Sequence, residues 1–153
     1  MATRWKKNEK RMYDKVVETL PTMSDLKWSE DKYCRYDAYN DKTIMEFKFR
    51  KGRKYEDTMI EFSKYNNLKS HSSGRVAIYA VETENKIYLF NLNRLEHNNY
   101  DYKWETRDCN KTTEFHSQDF NGMKVPKKVG YIGWDEADVV INRDTGKVRR
   151  KRT

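Results

Sequence analysis

The chain has 153 residues, a length typical of one domain, and 32 Lys and Arg against 24 Asp and Glu give it a net charge of +8. Its apolar runs are too short for a membrane helix, and its basic start lacks the apolar core of a secretory signal. Its two cysteines, Cys34 and Cys109, are too few for a disulfide framework. We therefore expect a cytoplasmic protein with no membrane partner.

The first half of the chain alternates between helical and extended patterns. Apolar residues at three- and four-residue spacing predict a helix over residues 8–20. Alternating side chains predict strands over 33–39 and 43–49, joined by a two-residue turn at Asn40-Asp41. The stretch 57–72 has a mixed pattern that begins extended and then becomes helical.

The second half is richer in strands. A nearly continuous apolar run predicts a buried strand over 75–82, and 86–92 follows it as the other arm of a hairpin. Further strands are predicted over 100–105, 129–134 and 138–141. This order indicates an α/β (mixed α+β) fold around a central mixed sheet, with extra C-terminal β elements. We expect a single domain over 1–142 and a flexible basic tail over 143–153.

Positive charge is dense at four places along the chain. They are residues 4–11, 48–54, 124–128 and 147–152. A soluble basic surface explains any one of them, but four on one small domain favour a polyanionic partner, because phosphate contacts release condensed counterions. We therefore expect a nucleic acid as partner.

The segment 33–50 carries the residues best suited to chemistry. With a turn at Asn40-Asp41, side-chain alternation places Asp37, Glu46 and Lys48 on one face of the hairpin, with Asp37 and Glu46 as diagonal neighbours. Two carboxylates at that separation can hold one Mg²⁺, and Mn²⁺ can substitute for it. Such a metal would activate a bound water and stabilise charge on a reacting phosphate, and Lys48 would assist beside it.

An Asp, a turn and then Glu-x-Lys on the second strand resembles the motif of the PD-(D/E)xK nuclease superfamily. The matching residues are Asp37, Glu46 and Lys48, with Tyr36 in place of the motif's proline. The order of helix, meander, helix and strand pair is also similar to the superfamily core, over roughly residues 8–92. Within it, the small size resembles phage endonucleases and Holliday-junction resolvases. The resemblance implies a restriction-endonuclease-like core and a Mg²⁺-dependent endodeoxyribonuclease, with branched DNA as one substrate.

The resemblance also implies supporting residues and an assembly. Members often add an acidic residue from the first helix, for which Glu9 is the better candidate than Glu18, and a Lys from the following helix, here Lys64. Resolvase-like members work as homodimers. Basic side chains next to the motif would suit backbone phosphates; they are Arg35, Arg50, Lys51, Arg53 and Lys54.

Two other classes of function fit the same sequence. A non-catalytic basic nucleic-acid-binding domain would carry Asp37 and Glu46 as surface charges, and it would bind in the presence of EDTA. A small interaction protein could use the basic tail to dock an acidic partner. Nothing in the sequence separates RNA from DNA as the nucleic acid.

Overall fold

The computed structural model describes residues 7–30, 34–51, 54–110 and 124–151, which form a mixed α+β fold with a central mixed sheet. The elements in chain order are α1 (Lys7–Thr19), β1 (Lys27–Trp28), β2 (Ala38–Tyr39), β3 (Thr43–Phe49), β4 (Asp57–Glu61), α2 (Phe62–Ser70), β5 (Val76–Thr83), β6 (Lys86–Asn91), α3 (Leu92–His97), β7 (Glu105–Asn110), β8 (Lys124–Gly133), β9 (Val139–Asn142) and β10 (Val148–Arg150). None of the helices in these ranges is long and apolar enough to cross a membrane.

The central sheet has seven strands in the order β1-β2-β3-β5-β6-β9-β10. The strands β3 and β5 are parallel, and every other neighbouring pair is antiparallel. Parallel neighbours require a crossover connection. Here β4 and α2 form that connection, which carries the chain from β3 across one face of the sheet to β5.

Both faces of the central sheet are covered. On one face, Met12 and Val16 of α1 pack against Met45 and Phe47 of β3. On the other face, Ile44 packs in a cluster with residues of α2, α3 and the second sheet. Burial on both faces explains the nearly continuous apolar run of β5.

A second sheet of three antiparallel strands, in the order β4-β8-β7, packs beside α2. Gly130 on β8 allows Tyr102 and Trp104 to lie against this strand, because a Cβ at that position would meet both side chains at 2.9 Å. The strand β8 begins at Lys124, before the predicted start at residue 129, and so includes the basic stretch 124–128.

Two predicted strands differ from the structure. Residue 33 lies outside the described residues, and of the described residues 34–39 only Ala38 and Tyr39 form β2. The predicted strand 100–105 is irregular up to residue 104. Lys103 has a positive φ of 56°, and its N–H bonds to the Asp101 carboxylate, so the backbone turns there. The turn lets the aromatic side chains of this stretch pack on the core, which outweighs their strand propensity.

The structure adds elements to the predicted order, among them β1, α3 and β10. A short helix, α3, begins after Asn91, whose side chain accepts a hydrogen bond from Arg94 N over 3.0 Å and so caps the helix. The prediction of a flexible tail is wrong for Val148–Arg150. These residues form β10, which extends the sheet by pairing with β9.

Candidate functional site

The hairpin that carries Asp37, Glu46 and Lys48 is formed, but its register differs from the predicted one by two residues. Tyr39 lies opposite Ile44 instead of Lys42. The Asn40 side chain accepts a hydrogen bond from Lys42 N over 3.0 Å, so Asn40 precedes the turn instead of lying within it. Because side chains alternate with a period of two, this shift leaves each residue on its predicted face.

Asp37 is fixed to the strand that carries Glu46. Its backbone N–H donates to Met45 O, and its carboxylate oxygen Oδ2 accepts from Phe47 N, both over 2.9 Å. The two partners flank Glu46 in the sequence. Asp37 is 3% exposed. Its carboxylate accepts the hydrogen bond from Phe47 N that a backbone carbonyl would accept in a regular strand pair. The regular pairing of β2 therefore begins only at Ala38. The hairpin therefore brings the two predicted metal ligands together.

Glu46 forms an ion pair with Lys64 of α2. Lys64 Nζ lies 3.5 Å from Glu46 Oε2, and the Glu46 side chain is only 11% exposed. The negative charge of Glu46 raises the pKa of Lys64, and the charges of Asp37 and Glu61 raise it further. Partial burial lowers this pKa, but the three carboxylates together have the larger effect. The crossover helix thus brings the predicted Lys64 to the two carboxylates.

Lys48 lies on the same face of β3 as Glu46 and is half-buried. Burial lowers the pKa of Lys48, and the positive charge of Arg50 lowers it further. The negative charges of Glu61 and Glu9 act in the opposite direction and raise it. Glu9 is half-buried in the first turn of α1, whereas Glu18 on the same helix is exposed.

The structure adds Glu61 and Lys127 to the predicted residues. Lys127 Nζ on β8 lies 3.1 Å from Glu61 Oε1 on β4. Although burial raises the pKa of Glu61, the hydrogen bond from Lys127 and the charges of Lys127, Lys48 and Lys64 lower it overall. The sequence showed the dense positive charge of residues 124–128 but predicted no strand there, and the pairing of β4 with β8 depends on the tertiary fold.

The five predicted phosphate-binding residues have different environments. Arg35 and Lys51 are exposed. Arg50 donates to Met59 O over 2.6 Å, and Lys54 Nζ donates to Tyr88 OH over 3.1 Å, so both make contacts within the protein. Arg53 lies outside the described residues.

A groove of about 760 Å³ extends from Lys48 between the central sheet and the second sheet. Its basic lining residues are Lys48, Arg50, Lys51, Lys54, Arg107 and Lys124, and its acidic ones are Asp57 and Asp108. The groove therefore has an excess of positive charge and opens directly at the predicted catalytic lysine.

The donor set at the site limits the metals that it could hold. Within the described ranges, no group of three or more His, Cys, Asp and Glu side chains is arranged as a metal site. Asp37 and Glu46 supply two carboxylates, one of which is held by Phe47 N. This set suits Mg²⁺, which commonly binds through one or two carboxylates together with water and substrate phosphates.

We compared the chain with protein-family models, with curated proteins and with solved structures, and none of them matched it.

Proposed function

We propose that this protein is a metal-dependent nuclease that hydrolyses phosphodiester bonds in DNA, with a PD-(D/E)xK type of site. The observation that carries the proposal is the attachment of Asp37 to the backbone on both sides of Glu46, with Lys48 next on the same face of the strand. Carboxylates that converge beside a lysine of lowered pKa are typical of a catalytic centre.

The order of elements around the site supports the proposal. The helix α1 precedes an antiparallel meander of β1, β2 and β3, and the crossover through α2 leads to β5, which is parallel to β3. The strand β5 pairs with β6, so the order is helix, meander, helix and strand pair, which is similar to the order in the superfamily core. A restriction-endonuclease-like core and activity on branched DNA are part of the same proposal.

Each residue has a role that its position suits. Asp37 and Glu46 would hold Mg²⁺ or Mn²⁺, which when bound supplies Lewis-acid stabilisation of charge on the phosphate. Lys48 donates a hydrogen bond to the attacking water or to a phosphate oxygen. Lys64 neutralises Glu46 in the absence of substrate and contacts the scissile phosphate in its presence, and Glu9 orients the Lys48 ammonium through its charge.

The test is a cleavage assay on supercoiled plasmid, linear duplex, single-stranded DNA, four-way junctions and an RNA of matched sequence. Each substrate is incubated with Mg²⁺, Mn²⁺ or EDTA. We expect cutting that requires the metal and is lost in Glu46→Gln. Glu18→Gln removes the same charge from an exposed position on α1 and serves as the control. Cutting by Glu46→Gln at the wild-type rate would refute the proposal.

A second candidate function is non-catalytic binding of nucleic acid. The Lys64–Glu46 ion pair favours it, because the pair already balances one of the two carboxylates without a metal ion. In this case the protein binds DNA in EDTA with strong salt dependence and cuts none of the substrates above.

Sedimentation of the protein with and without a junction reports whether a homodimer forms on DNA.

A further inference from the structure

We propose that the groove next to Lys48 binds an unpaired segment of DNA, with one base stacked on Tyr55. The inference deepens the proposed function and rests on it for the claim that the bound strand leads to a cleavage site. The binding itself depends only on the groove. Three features of the groove support the proposal: its charge, its exposed aromatic side chain and its continuity with Lys48.

The charge of the lining fits a polyanion. Six Lys and Arg side chains line the groove against two carboxylates. Among them, Lys51 and Arg107 are exposed and lie on separate segments of the chain, one after β3 and one on β7. Cations from separate segments that line one groove can follow the phosphates of one strand, as in other proteins that bind single strands.

Tyr55 is the aromatic side chain that the groove presents to solvent. It is 71% exposed, whereas every other described Tyr, Trp and Phe is buried or half-buried. The indole Nε1 of Trp134 donates a hydrogen bond to Tyr55 O, and the Trp134 ring packs 4.6 Å from that of Tyr88 in the core. The backbone of Tyr55 is therefore anchored, and most of its side-chain surface faces solvent.

An exposed ring in a basic groove selects unpaired bases. Within a duplex, both faces of a base are covered by its neighbours, so only an unstacked base can lie on a protein ring. Stacking on an aromatic side chain tolerates every base, since each has a π-face. A strand stacked on Tyr55 places its adjoining phosphates along the groove toward Lys48.

Binding is measured in EDTA by the anisotropy of a labelled oligothymidine and of a hairpin duplex of equal charge. We expect Tyr55→Ala to weaken single-strand binding by about tenfold and duplex binding by less than about twofold. Tyr55→Phe keeps the ring and should bind as the wild type does. Val148→Ala truncates the other large apolar side chain that is exposed among the described residues. It lies outside the groove lining and controls for surface truncation.

The charge contribution is tested with a matched pair of lysines. Lys51→Ala removes a charge from the groove, and Lys147→Ala removes one from an exposed position outside its lining. We expect Lys51→Ala to weaken single-strand binding more than Lys147→Ala and to reduce its salt dependence by about one ion. Equal effects of the two variants would contradict the placement of the strand in the groove.

The two cysteines provide a footprint on the unmodified protein. Cys109 lines the groove and Cys34 does not, and both are half-buried. Oligothymidine at saturation should slow the reaction of Cys109 with N-ethylmaleimide, read by peptide mass spectrometry, and leave that of Cys34 unchanged. Equal protection of both thiols, or of neither, would overturn the proposal.

Failure of this inference and failure of the proposed function give different results. If Tyr55→Ala binds single strands as tightly as the wild type, the groove proposal is wrong even where cleavage is observed. If Tyr55 and Cys109 respond as expected but Mg²⁺ produces no cutting, the groove proposal stands as a binding site and the nuclease proposal falls.

Discussion

The backbone N–H of Phe47 donates a 2.9 Å hydrogen bond to the carboxylate of Asp37, ten positions earlier in the chain. In this bond the Asp37 side chain replaces the backbone carbonyl that would accept from Phe47 N in a regular strand pair. It also fixes the Asp37 carboxylate next to Glu46, which precedes Phe47. The same group therefore closes the hairpin and builds the candidate site.

The first prediction separates these two roles of Asp37. Asp37→Ala leaves the buried Phe47 N–H without its acceptor, and we expect a loss of about 1–3 kcal/mol in the free energy of unfolding by urea. Asp37→Asn keeps an acceptor oxygen but removes the charge. It should be nearly as stable as the wild type and should not cut DNA. An Asn variant that cuts at the wild-type rate would contradict the role of Asp37 in catalysis.

The second prediction concerns the cost of keeping Lys48 charged. Burial lowers the pKa of Lys48, so the folded state binds its proton less tightly than the unfolded state does. Lys48→Met should therefore raise the urea midpoint at neutral pH and abolish cleavage. The gain in stability should be complete below the pKa that Lys48 has in the folded state. It should shrink as the pH rises through that pKa toward the pKa of Lys48 in the unfolded state. A gain in stability that grows between pH 8 and 10 would contradict this account.

The third prediction concerns metal binding at Glu46. The ammonium of Lys64 lies 3.5 Å from Glu46 Oε2 and competes with any cation there. Lys64→Met should tighten Mn²⁺ binding by about two- to fivefold in calorimetric titration, the range of a partly exposed ion pair. Lys69→Met, on the same helix, breaks the pair with Glu96 away from the site and serves as control. Equal effects of the two variants would exclude competition by Lys64.

The fourth prediction concerns a structural ion pair on the central sheet. Arg143 binds the buried Glu82 with two hydrogen bonds, of 2.9 and 2.6 Å. Arg143→Met leaves that charge unpaired and should lower the free energy of unfolding by about 3–5 kcal/mol. The double variant Glu82→Gln with Arg143→Met should recover part of the loss. Urea unfolding measures both, and additive losses would contradict the coupling of the two side chains.

Local sequence patterns predicted much of the fold. The spacing of Met12 and Val16 predicted α1, and the alternation of Glu46 and Lys48 with apolar neighbours predicted the two faces of β3. These predictions succeeded because helix and strand periodicities depend on neighbouring residues alone. The same alternation kept Asp37 on the correct face although the predicted register was wrong by two residues.

Other features were not predicted. The capping of α3 by Asn91 and the pairing of β10 with β9 join residues that are close in the chain, and the apolar patterns of the sequence did not signal them. The turn at Lys103 follows the packing of its aromatic neighbours on the core. At this turn a tertiary contact outweighed local propensity.

The sequence by itself determined the excess of positive charge, the faces of β3 and the candidate pair Asp37 and Glu46, because these follow from residue type and the two-residue period of a strand. Only the tertiary structure decided that Lys64 reaches Glu46, that Lys127 binds Glu61 and that Tyr55 remains exposed in the groove. Those relationships depend on how β4, α2 and β8 pack beside β3, and the hydrophobic burial that fixes this packing joins residues far apart in the chain.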